Sequence, residues 1–179
     1  DTNMVATINN FLALPENADY KVLMNTHLYL TAGKYADSFV PAWATTNKYA
    51  TTSNPQFLED GGQYLWDEMF SKHENIEMVL CGHSASYGIE YISRTGKNGK
   101  KINEFLIDPQ GMDKVEDGLG MVAMFYFSDN GSKISFEYIS IDRSEVLFPK
   151  NGKYVVDLES GECNYTKAPA AAGYKNGQL

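Results

Sequence analysis

The sequence predicts a mixed domain of the α/β (α+β) class on three observations. An amphipathic helical stripe leads into a short apolar strand, the same pair recurs further along, and after Tyr87 extended segments with closely spaced turn signals replace the helices. The first stripe is Met4, Ile8, Phe11 and Leu12, with Thr2 or Asn3 available as the cap. Pro15 and the polar residues after it stop that helix. The run 21–24 then reads as a buried strand that ends at Asn25-Thr26-His27.

Leu65, Trp66, Met69 and Phe70 form the second stripe, and the run 76–81 forms the second buried strand, ending at Gly82-His83. Helix, strand, helix, strand in that order implies parallel strands joined by a crossover, which brings both carboxyl ends to one edge of the sheet. Further on, Asn98-Gly99 suits a hairpin between about 87–95 and 100–107, and Asp129-Asn130-Gly131 a second between about 119–127 and 133–140. Ile134, Phe136 and Tyr138 alternate with polar residues, as a half-buried strand requires. Asn151-Gly152 gives another turn before an extended 154–158. The domain is expected to span 1–160, with 161–179 a tail or linker ending in an alanine-rich, aperiodic stretch. The connection 31–62 is far longer than an ordinary loop and holds Tyr35, Phe39, Trp43 and Tyr49. It reads as a lid packed by its own aromatics, with a substrate-contacting surface as the alternative.

Within 179 residues, 43% hydrophobic content is enough for one buried core. The formal charge of -8, from 23 acidic against 15 basic residues, argues against nucleic acid and anionic membrane as partners. The one basic cluster, 97–101, falls on a hairpin turn. No apolar stretch reaches the roughly 20 residues that span a bilayer as a helix. Cys81 and Cys163 are too few for a disulfide framework or a zinc knuckle, Cys81 reads as a small buried hydrophobe, and the redox compartment stays open.

His27 and His83, each following an apolar strand on the same expected edge, are the candidate metal ligands, because neutral imidazole at a strand end suits a divalent cation. His73, beside Lys72 and Glu74 in the last turn of a predicted helix, reads instead as a structural residue complementing the helix dipole.

Around these histidines, Thr26-His27-Leu28-Tyr29-Leu30, preceded by Val22-Leu23-Met24-Asn25, resembles the THxYL segment of bacterial calcineurin-like metallophosphoesterases. Val79-Leu80-Cys81-Gly82-His83 is similar to the family's GHxH segment, and 63–73 to the helix before it. Ile107-Asp108-Pro109-Gln110, Gly118-Leu119-Gly120 and the turn 127–131 resemble a downstream DxQ…G stretch. The resemblance covers about 4–142. It implies the C-terminal half of a sandwich in which two mixed sheets pack face to face with helices outside. It also implies a phosphoester substrate and divalent cations (Mn, Fe or Zn), with His27 and His83 on one metal. It leaves the compartment open, secreted or cell-surface included.

Two departures limit what the resemblance implies. The second histidine of GHxH is Ala85 here, and the family's upstream DxH, GDxxxD and GNH blocks do not occur in the sequence. Asp108 is a substitute ligand in principle, although a carboxylate opening an Asp-Pro turn ordinarily serves the turn. The chain alone is therefore expected to be inactive. It is read as a fragment of a phosphatase or phosphodiesterase, as one half that pairs with a separate N-terminal half, or as a degenerate non-catalytic binding module using Trp43 and its neighbours. The fragment reading is favoured because the sequence opens directly on a helix. It carries the expectation of an uncovered apolar sheet face, covered by the missing half or by a homo-oligomer.

Overall fold

The structure is a computed structural model that describes residues 2–30, 61–83, 89–107, 120–148 and 152–164. Helix α1 spans Thr2–Leu12, β1 Val22–Asn25, α2 Gly61–Glu68 and β2 Ile76–Cys81. They are followed by β3 Ile89–Thr95, β4 Lys101–Ile107, β5 Met121–Phe127, β6 Lys133–Ser140, β7 Glu145–Phe148 and β8 Tyr154–Asp157. Short 3-10 turns at Pro15–Asn17 and Phe70–Lys72 link helices to strands.

These strands make two four-stranded sheets. The first has the order β1-β2-β4-β3, with β1, β2 and β4 parallel and β3 antiparallel to β4. The second is antiparallel throughout, with β5 on one side of β6 and both β7 and β8 on the other. Helices, parallel strands and antiparallel strands thus occur together, as the α+β reading expects. The second sheet differs from the expected mixed one because tight turns join its strands, and a hairpin forces antiparallel pairing. Both expected hairpins form, with Gly99 and Gly131 at φ 86° and 63°, where a side chain is strained. The strand β7 carries no clear alternation and has no counterpart in the sequence reading.

The faces of the first sheet are covered in two ways. Between the sheets, Met78, Tyr91 and Phe105 pack against Ile134, Phe136, Tyr138, Tyr154 and Val156. Phe105 is their centre, with ring centroids 5.3 Å from both Phe125 and Phe136. On the opposite face, Ile76, Val79, Cys81, Ile102 and Leu106 pack against Val5, Leu12, Tyr29, Leu30, Met69 and Phe70. Ile76 and Met78 serve opposite faces although two residues apart, because the register with β1 shifts there and Glu77 is the extra residue.

Three expectations are corrected here. The helix α1 buries Val5 and Leu12, with Ile8 half-buried, whereas Met4 and Phe11 are 55% and 60% exposed. The buried stripe is rotated because the sheet lies on the other side of the helix. Thr2 and Asn3 lie inside α1 rather than capping it. The pair β1–β2 also does not present an uncovered apolar face. Both faces of β2 are buried, while β1 alternates half-buried and exposed residues and, among the described residues, pairs on one side alone.

Residues 161–164 continue the fold past β8. Cys163 pairs with Val156, and the Asn164 side chain accepts the Val155 N–H at 2.6 Å. No described helix is long and apolar enough to cross a membrane.

Candidate functional site

Parallel pairing of β1 with β2 and of β2 with β4 brings three carboxyl ends to one edge of the first sheet. Past the end of β1 the chain stays fastened to its neighbour. The Thr26 N–H donates to the Leu80 carbonyl at 3.0 Å, and the His27 carbonyl accepts the Gly82 N–H at 2.9 Å. These two bonds carry the ladder beyond the apolar run and set His27 beside His83.

The two imidazoles meet. His83 Nδ1 lies 2.8 Å from His27 Nε2, and the rings cross at 82° with centroids 4.7 Å apart. One nitrogen in that contact carries a hydrogen and the other offers a lone pair. His83 has φ 68°, the left-handed region. A side chain there costs about 1–2 kcal/mol, and such strain concentrates at functional positions. Both rings are exposed.

A metal test follows from these distances. Imidazole nitrogens bind Zn2+ at about 2.0–2.1 Å, so two on one ion at angles between about 90° and tetrahedral lie roughly 2.9–3.4 Å apart. The observed 2.8 Å is just below that range. A cation replacing the shared hydrogen would lie off the line between the two nitrogens, so both rings would have to turn toward it. Two imidazoles are half of a closed site, and no group of three or more His, Cys, Asp or Glu that could hold a metal ion occurs among the described residues. The pair supplies two of the ligands a divalent cation takes, and neither a complete one-metal site nor a two-metal clamp is assembled from the described residues. Ala85, Asp108 and the aromatic connection with Tyr35, Phe39, Trp43 and Tyr49 lie outside the described residues.

His73 is used elsewhere. Its Nε2 lies 2.8 Å from Asn9 Oδ1, and Asn9 Nδ2 donates to the Glu68 carbonyl, so the pair ties α1 to the end of α2. Burial, and then the Lys72 charge, hold its pKa below the ordinary histidine value. The structural role agrees with the sequence reading, but the cation at a helix end does not, because both influences favour the neutral ring.

The sequence reading missed a buried polar cluster behind the histidines. Glu104, in the middle of β4, is 0% exposed, and its Oε2 lies 2.7 Å from Arg94 Nε. The Tyr29 hydroxyl donates to Glu104 Oε1. The Arg94 guanidinium lies over the Trp66 ring, 5.2 Å from its centroid. Burial pushes the Glu104 carboxyl up to about 7, against the opposing pull of Arg94 and Tyr29. A signal for this cluster was present: a carboxylate inside Ile102-Asn103-Glu104-Phe105-Leu106 has to be paired if the run is a buried strand.

No family model matches this chain, and neither curated proteins nor solved structures give a significant match.

Proposed function

We propose that this chain is the C-terminal part of a calcineurin-like metallophosphoesterase, with His27 and His83 holding one divalent cation (Mn, Fe or Zn) against a phosphoester substrate. One observation carries the reading: two imidazoles from the carboxyl ends of adjacent parallel strands converge, with facing nitrogens 2.8 Å apart. His27 Nε2 and His83 Nδ1 supply the lone pairs, and the ladder bonds from Thr26 and Gly82 fix the peptides that carry them. A divalent cation held by His27 and His83 would supply Lewis acidity toward a phosphoryl oxygen and would acidify water at neutral pH. The remaining ligands would come from an N-terminal half, for which β1, paired on one side alone among the described residues, is the natural place to pair.

Titration of the chain with Mn2+, Co2+ or Zn2+ tests the site, with one cation per chain expected and binding lost in both His27→Ala and His83→Ala. Phosphodiesterase activity of the longer parent, with and without His27→Ala, tests the reaction. Unchanged cation uptake and unchanged activity in the variants would sink the assignment.

A further inference from the structure

An exposed imidazole just past the end of an edge strand has both backbone and rotamer freedom, yet the contact between His27 and His83 requires it to stay within a few tenths of an ångström. Two main-chain bonds, at Thr26 and at the His27 carbonyl, hold the peptide on its β2 side. Two residues further on, the chain turns inward. Tyr29 and Leu30 are both fully buried, and the Tyr29 ring meets Phe70 edge-on with centroids 5.0 Å apart. The Tyr29 hydroxyl ends on Glu104 Oε1, the other carboxylate oxygen is taken by Arg94, and Arg94 lies over Trp66. The His27 segment is thereby tied to β4, β3 and α2 through one carboxylate.

A buried ion pair of this kind adds little net stability compared with apolar residues of the same shape. What it adds is a directional acceptor for the Tyr29 hydroxyl at one fixed point, which a leucine at 104 would not supply. The geometry points to Tyr29, Glu104 and Arg94 as positioning residues that hold His27 against His83. The inference rests on the reading of that pair as the functional site, and it extends the site inward through a segment whose role the motif resemblance leaves open.

The test uses the metal-free chain first. Ring-to-ring nuclear Overhauser effects between His27 and His83 are expected in the wild type, because the centroids are 4.7 Å apart. They are expected to vanish in Tyr29→Phe and Glu104→Ala but to survive in Glu104→Gln, whose amide oxygen still accepts from Tyr29. Co2+ affinity should fall about tenfold in Tyr29→Phe, the lower end of the range for residues supporting a metal ligand. A wild type without the ring contact, or a folded Tyr29→Phe that keeps both the contact and its Co2+ affinity, would overturn the inference. So would a loss of stability with the contact intact, which assigns the cluster to packing. If Glu104→Ala does not fold, Tyr29→Phe, which loses one hydroxyl and no volume of consequence, decides alone. A wild type that shows the contact and takes up no Co2+ would defeat the metal reading while the positioning role stood.

Discussion

Replacing Arg94 with methionine removes the guanidinium from Glu104 while keeping most of the apolar stem over Trp66. With Arg94 in place, burial has already raised the carboxyl from 4.5 to about 7. A carboxyl with a raised folded-state pKa keeps its proton in the folded chain through that window. Its contribution to stability is fully present below about pH 4.5 and is lost as pH rises through about 7. Above 7 the wild-type curve flattens, because Glu104 is then ionised in both states. Without Arg94 the carboxyl stays protonated to higher pH, so the variant goes on losing about 1.4 kcal/mol per pH unit. The two curves should run nearly parallel below about pH 6 and differ by an additional 3 kcal/mol or so at pH 9, near the lower bound of about 3–5 kcal/mol for breaking a buried pair. Urea denaturation between pH 5 and 9, followed by far-UV circular dichroism, measures this directly. Tryptophan fluorescence would not serve, because Arg94 lies over Trp66. Parallel curves across the whole range would show that Arg94 does not hold the charge on Glu104, and the electrostatic account of the cluster would fail.

Other substitutions separate the packing claims. Phe105→Ala, which empties the centre of the sandwich, should cost about 3–5 kcal/mol, whereas Phe11→Ala on the exposed side of α1 should stay within about 0.5 kcal/mol by the same denaturation assay. Asn103→Ala strips partners from the Tyr91 hydroxyl and the Leu158 and Glu77 carbonyls, and about 2–3 kcal/mol should be lost. Gly99→Ala, at φ 86° with open space around it, should cost about 1 kcal/mol. Gly161→Ala should cost clearly more, because an added Cβ would meet the Ser93 side chain, and Ser93→Gly in the same chain should restore part of the loss. Equal effects at the two glycines would show that the Ser93 approach is not what demands glycine there.

The sequence by itself determined the local elements. Apolar runs stopped by polar residues located β1 and β2, and Asn-Gly turns located both hairpins, because these features act over a few residues through backbone preference and burial. It also placed His27 and His83 at strand ends on one edge, since two parallel strands leave no other arrangement. Tertiary structure decided what depends on neighbours distant in the chain. The side of α1 that is buried follows from where the sheet lies, so Val5 is covered and Phe11 is not. The second sheet and the helical layer closed the two faces of the first sheet, and β4 took the place beside β2, which left β1 at the edge among the described residues. The Tyr29–Glu104–Arg94 cluster joins residues up to 75 positions apart. A single carboxylate in a strand announces that a partner must exist, but only the folded chain shows which residues fill that role, because pairing is set by distance in space rather than by spacing in sequence.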